Sequence, residues 1–414
     1  MSALQPVRGT RDILPDEMRG HRRVVETARA AAERYGYQEM STPIFEFVDV
    51  FRRPLGETSD VVSKEMYTFT DRGGDLLTLR PEATAAVARA LLSNGLRQDL
   101  PCKFFSHGPM FRYDRPQKGR WRQFHQINVE LLGVGEPQGD IEIVSLGVHV
   151  LDALGVLART TLELNSLGDP ASRQAHRELL VDYFAAHEKE LSADSRERLH
   201  RNPLRILDSK DENDRRISAG APSIADHLNQ ESVEFFATVR EGLDTLGIAY
   251  RLNPHLVRGL DYYTHTIFEF TTNDLGAQGT VLGGGRYDGL IELLGGPSTP
   301  GVGWAGGVER LAMLLDDPPA APRPVAVIPI GAACEKAALR LSDDLRRGGV
   351  MVDLGFAGSL SKRMKRANKV NARIAVLLGE DELAAKVATL RDLDTGAQEQ
   401  VALDQLAEHL ARTS

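Results

Sequence analysis

The chain has 414 residues, 42% hydrophobic and 26% charged, which suits a globular protein of two or three domains and excludes a disordered or coiled-coil one. Fifty basic against fifty-eight acidic residues leave a net charge of −8, which excludes nucleic-acid binding through bulk charge and leaves only local patches. Two cysteines build neither a disulfide framework nor a zinc knuckle, and no apolar run reaches the ~18 residues of a membrane span, so a cytoplasmic chain with no membrane partner is expected.

The first helix is predicted from Asp16 to about Tyr35, with Pro15 before it, acids in its first turn and Gly36 as its stop. Tyr37 to Val48 reads as a β-stretch. Pro43 within it lacks the N–H of a central ladder, which places the strand at an edge or an interface. Met66 to Leu79 is hairpin-like around Gly73-Gly74, and a helix from Pro81 to about Ser93 is closed by Asn94-Gly95.

Met110 to Gly133 is the most informative stretch. Phe124, Gln126, Asn128 and Glu130 alternate with His125, Ile127, Val129 and Leu131, and Met110, Arg112 and Asp114 share a face of the preceding strand. An antiparallel hairpin would put Arg112 beside Gln126 and Glu130 on a polar floor, either solvated or ligand-binding. The joining loop carries Arg115, Lys118, Arg120 and Arg122 around Gly119 and Trp121, with no acid between Arg115 and Arg122. Guanidinium groups suit phosphate, and a base can stack on Phe124.

Residues 187–216 hold eight basic and eight acidic residues, read as a solvated helical insertion or a surface for a large partner. Residues 255–310 are strand-like and glycine-rich. Within them GVGWAG (Gly301–Gly306) matches a dinucleotide-binding pattern but lacks the preceding apolar strand and the following acid. Four prolines in Asp316–Pro324 form a stiff linker. Beyond it, strand–helix–strand–helix–strand, two short strands and a terminal helix form an α/β domain. In that domain the helix from Ser361 carries Lys362, Arg363, Lys365, Arg366, Lys369 and Arg373 with no acid. It is either a solvated basic helix or a surface for an RNA backbone.

The arginine hairpin resembles motif 2 of class II aminoacyl-tRNA synthetases. PVRGTRD, KEMYTF, TLRPEAT, FRYDRPQKGRWRQFHQ, ELNSLG, NPLRILDSK, LVRGLDYYTHTIFEF, GGGRYDGL and GVGWAGGVERL, in this order, narrow the resemblance to the histidyl-tRNA synthetase family. The fold it implies is an α+β catalytic body with an antiparallel sheet at 1–320, with a mainly helical insertion at about 170–245. A C-terminal α/β anticodon-binding domain at 325–414 completes it. The activity it implies is formation of histidyl-adenylate from L-histidine and ATP, with Mg²⁺, followed by transfer to the 3′ end of tRNA(His).

Carried over residue by residue, Glu82, Thr84 and Gln126 would hold the substrate ammonium. Arg112 and Arg258 would flank the α-phosphate as the catalytic pair, and Arg258 would also contact histidine. Two such cations are costly to assemble without an anion. Tyr263 and Tyr287 would flank the imidazole. Phe124 would stack on adenine, Arg310 would hold the γ-phosphate, and Glu130 would lie near the adenine and ribose end or a Mg²⁺ ion, with no protein cage for a metal. Arg115, Gln117, Lys362 and Arg366 would contact tRNA, and Pro43, in motif 1, implies a homodimer. A histidine-binding regulatory paralogue and a synthetase for another amino acid are the rival readings. The three arginines and the C-terminal domain oppose the first, and LVRGLDYY and GGGRYDGL oppose the second.

Overall fold

The computed structural model describes residues 4–56, 59–117, 119–276, 279–317 and 319–412. It divides into two compact units, Met1–Pro319 and Ala320–Ser414.

In chain order the first unit contains α1 (Pro15–Arg34), β1 (Gln38–Glu39), β2 (Phe45–Phe47), α2 (Asp49–Leu55), β3 (Tyr67–Thr70), β4 (Leu76–Leu79), α3 (Thr84–Ser93), β5 (Cys102–Phe111), β6 (Gln123–Leu132) and α4 (Pro137–Ala153). It continues with β7 (Thr161–Ser166), α5 (Pro170–Ala186), α6 (Ala193–Arg201), α7 (Glu212–Ser218), α8 (Gln230–Thr245), β8 (Arg251–Leu252), β9 (Thr264–Thr271), β10 (Thr280–Arg286), α9 (Leu290–Leu293), β11 (Gly301–Gly307) and α10 (Val308–Ala312).

Eight strands form one sheet in the order β1-β5-β6-β11-β10-β9-β7-β8. The six central strands are antiparallel, and only the short edge strands β1 and β8 pair in parallel. The expected single strand from Tyr37 to Val48 is two. The residues around Pro43 leave β1 on the large sheet, and β2 starts a separate sheet of order β2-β4-β3. Both pieces are edge strands, where a missing N–H costs no ladder bond.

The alternation of β6 is realised. Ile127, Val129 and Leu131 enter a core with Val24, Ala28 and Ala32 of α1 and Ile143, Val144 and Val150 of α4. Burying this face against two amphipathic helices fixes the register of β6, since a one-residue slip would bury its polar set instead. The opposite face meets a second core built from Phe51, Leu55, Ala85, Val87 and Leu91 of α2 and α3. GVGWAG falls in β11, where Trp304 is buried and donates to the Ile143 carbonyl at 3.0 Å. Gly303 permits a close approach: a Cβ there would collide with the Glu130 carboxylate and the Val129 carbonyl.

The second unit runs β12 (Val325–Pro329), α11 (Glu335–Arg347), β13 (Val352–Leu354), α12 (Leu360–Lys369), β14 (Ile374–Leu378), α13 (Glu380–Ala385), β15 (Val387–Asp392), β16 (Gln398–Ala402) and α14 (Leu406–Arg412). Its sheet order is β13-β12-β14-β15-β16, parallel in the first half and antiparallel in the second. Its apolar clusters are its own. The short helix α13 is additional to the elements expected there.

Candidate active site

A cleft of about 890 Å³ opens on the polar face of the large sheet and is lined by Arg112, Phe124, Gln126, Arg258 and Arg310 among others. These residues come from the end of β5, from β6, from the segment before β9 and from α10. The hairpin brings Arg112 to Phe124, with the guanidinium carbon 5.5 Å from the ring centroid, and Arg112 Nε donates to the Pro81 carbonyl at 2.9 Å. Arg112 therefore stands beside Phe124 rather than beside Glu130.

Arg310 donates to the carbonyls of Gly119 at 3.1 Å and Thr280 at 2.7 Å. Burial, followed by the nearby Arg120 and Arg112, holds its guanidinium below the usual range. A buried cation beside two others is poised for an anion. The residue that aims α10 is Glu309, only 5% exposed, which accepts from the His125 backbone N–H at 2.9 Å and from His125 Nδ1 at 2.9 Å. Nothing in the sequence around it singles Glu309 out. His21, His125 and Glu309 also bring possible metal-ligating atoms within 4.8 Å of one another.

Arg258 makes an ion pair with Glu269, whose other oxygen accepts from the Thr280 hydroxyl at 2.7 Å. Glu269 thus supplies a protein anion for Arg258, one that the sequence does not reveal. Glu269 offsets its burial and fixes the fork. Gly283 leaves room for it, because a Cβ there would stand 2.7 Å from Arg258 Nη1. The Arg258 guanidinium carbon lies 5.5 Å from the Tyr263 ring.

Next to the cleft is a buried layer of carboxylates, hydroxyls and tyrosines. Glu82 precedes α3 rather than lying in its first turn. Its two oxygens accept from the Thr84 N–H at 2.6 Å and the Ala85 N–H at 2.9 Å, capping the helix. Burial pushes its carboxyl above the usual range, and the Ala85 and Thr84 N–H groups, then Arg112, offset part of that rise. Glu130 is 1% exposed and accepts from Thr84 Oγ1 at 2.6 Å and from the Tyr287 hydroxyl.

This corrects the placement of Glu130. Both oxygens are taken by hydroxyls, those of Thr84 and Tyr287, which sets Glu130 in the tyrosine layer. Burial pushes its carboxyl up to about 8. Tyr263 and Tyr287 do not face each other alone. Tyr262, which the sequence does not distinguish from its neighbour, has ring centroids 4.7 Å from Tyr263 and 5.7 Å from Tyr287. Tyr287 is held in place by its neighbour Arg286, fully buried, which pairs with Asp140 and donates to the Val134 carbonyl at 2.9 Å.

Comparison with known proteins matches this arrangement to one family. The family model described as histidyl-tRNA synthetase matches residues 9–311, and an anticodon binding domain matches residues 324–413. The chain belongs to the histidyl-tRNA synthetase family. It is 62% identical to a histidine–tRNA ligase of Rhodospirillum rubrum, covering 100% of each chain, and 54% identical to that of Gluconobacter oxydans, covering 99% of each. Its fold is similar to that of the apo histidyl-tRNA synthetase of Staphylococcus aureus, at a TM-score of 0.82 and 35% identity, covering 98% of this chain and 99% of that one.

Within this family frame, the expected tRNA contacts divide. Arg115 and Gln117 are exposed in the loop between β5 and β6. Lys118 lies outside the described residues. Arg120 pairs with Asp114, and Arg122 stands 3.8 Å from the Tyr113 ring centroid and donates to the Arg8 carbonyl at 3.1 Å. Those two arginines build the loop. In α12, Lys362, Lys365 and Lys369 are exposed, whereas Arg363 is buried and Arg366 pairs with both oxygens of Asp353 at 2.9 and 2.7 Å. The acids come from other elements, so the uninterrupted basic run overstates the free charge. The insertion also has a place: Arg205, Asp208 and Lys210 of NPLRILDSK line the cleft.

Glu130 gives a pH prediction. An acid whose folded pKa is raised favours the folded state below its unfolded value and loses that contribution as pH rises through the folded value. The window here runs from 4.5 to about 8. Glu130→Gln is therefore expected to be more stable than the wild type near about pH 9, by on the order of a few kcal/mol, with the gap closing near about pH 5. Melting curves at both pH values check it. A gap that widens toward acid contradicts the assignment.

Proposed function

We propose that this chain activates L-histidine with ATP and then transfers histidine to the 3′-terminal adenosine of tRNA(His). The observation that carries this reading is the convergence of Arg112, Arg258 and Arg310 on one cleft beside the Glu82–Thr84–Glu130–tyrosine layer.

In the first step a histidine carboxylate oxygen attacks the α-phosphorus of ATP, and the bond to the β-phosphate oxygen breaks to release pyrophosphate. Negative charge grows on the α-phosphate, between Arg112 and Arg258, where fixed guanidinium groups lower the barrier. Arg310 holds the γ-phosphate and Phe124 stacks on adenine. Mg²⁺ arrives with ATP as part of the substrate. Glu82, Thr84 and Gln126 hold the ammonium group. Glu130, Tyr263 and Tyr287 read the imidazole nitrogens through a carboxyl and two hydroxyls, so apolar isosteres strand buried polar groups. In the second step the terminal adenosine hydroxyl attacks the carbonyl carbon of the adenylate and AMP leaves. Arg115, Gln117 and Lys362 contact the tRNA, while Arg366 acts through what it holds.

The family implies a homodimer, and the small sheet supports one. By register, Phe45, Leu79 and Tyr67 form one row across the three strands, and Phe47, Leu77 and Phe69 form the next on the same face. Phe45, Phe47 and Phe69 are 56%, 57% and 42% exposed, an apolar face of the kind that marks an interface. No helix among the described residues is long and apolar enough to cross a membrane, and a cytoplasmic location belongs to this reading. The test is charging of tRNA(His) transcript with labelled histidine. Product accumulating only with ATP present is expected, and no charging of tRNA(His) would overturn the reading.

A further inference from the structure

Phe356 is 88% exposed, the most exposed aromatic side chain among the described residues. It sits in the turn between β13 and α12, and that turn is built to hold it there. Arg363, 5% exposed, donates to the carbonyls on both sides of Phe356: Nη1 to Gly355 at 2.7 Å and Nε to Gly358 at 3.0 Å. Its remaining nitrogen pairs with Glu335. Gly358 adopts a φ of +121°, which favours glycine. Arg366 lies with its guanidinium carbon 5.2 Å from the Phe356 ring centroid, and Asp353 fixes its orientation. One buried arginine thus clamps the backbone and a second supports the ring, which a side chain without a ligand does not require.

Lys362, Lys365 and Lys369 follow at i, i+3 and i+7, one exposed basic stripe of α12, and Lys362 starts against Gly358. An aromatic ring backed by arginine beside a row of lysines is the chemistry of single-stranded nucleic-acid binding, with the base on the ring and the phosphates on the lysines.

We propose that Phe356 is a stacking platform for one unpaired base of the tRNA(His) anticodon loop, with Lys362 and Lys365 on the adjoining phosphates. This rests on the functional reading above and adds the residue and the mode of contact. A protein partner would also bury an apolar side chain, but it would not need three lysines in line.

The test is steady-state charging by the full-length chain with tRNA(His) transcript. Phe356→Ala is expected to raise the KM for tRNA by roughly 5- to 100-fold with a smaller change in kcat. Phe356→Trp keeps the face and stays within about threefold, while Phe356→Leu keeps apolar bulk but behaves as Ala. Abasic nucleotides scanned through the anticodon loop should locate one position at which the wild type and Phe356→Ala become equal. An unchanged KM for Phe356→Ala, full rescue by Leu, or no such loop position overturns the proposal. A wild-type chain that does not charge tRNA(His) at all sinks the functional reading instead, and the proposal with it.

Discussion

Arg258→Ala is expected to lower histidine-dependent pyrophosphate exchange by at least about 10²- to 10³-fold, the size of effect seen when one fixed donor to a developing charge is removed. The fork of Arg258 is set by Glu269 on one side and Tyr263 on the other, and Glu269 keeps the Thr280 hydroxyl when the arginine is gone. The variant therefore loses a positioned cation while its anion keeps a partner. Arg258→Lys restores charge but not the planar fork, so it is expected to recover only a small part of the rate. Melting curves separate a catalytic loss from a folding one. A folded Arg258→Ala chain with near-normal exchange contradicts the assigned role.

Separating the two units is expected to split the two half-reactions. A chain ending at Pro319 keeps its own core and every cleft residue, so exchange should stay within about threefold of the full chain. Charging of tRNA(His) should fall by about 100-fold or more in kcat/KM, because the base and phosphate contacts proposed for residues 320–414 leave with them. A cut at Pro318, the position the linker composition suggests, falls outside the described residues. Unimpaired charging by the shorter chain would remove the case for RNA contact by the second unit.

Much of this arrangement is legible in the amino-acid sequence. Periodicity places the polar face of β6 correctly, because its apolar partner face is buried and fixes the register. Resemblance brings Arg112, Arg258 and Arg310 to one site from segments far apart, which spacing alone does not do. What escapes is mostly partnership across distant segments. Glu269 lies eleven residues after Arg258, and nothing in that spacing shows that its carboxylate pairs with that guanidinium. Glu130 reads as a residue of the nucleotide end because nothing in its strand shows that Thr84 and Tyr287 reach it from α3 and from beyond β10. Tyr262 is easily missed because adjacent tyrosines in a regular strand look alternately in and out, whereas an irregular segment turns both inward. The basic run of α12 looks like one surface, and Asp353 and Glu335 from two other elements take up two of its charges.

The three arginines and the tyrosine layer together are expected to activate histidine and no other amino acid. Exchange of labelled pyrophosphate into ATP, without tRNA, across a panel of amino acids tests this most directly. Exchange with histidine alone is expected. No exchange with any amino acid, alongside measurable histidine binding, would contradict it. It would mean that three correctly placed arginines bind substrate here without making an adenylate.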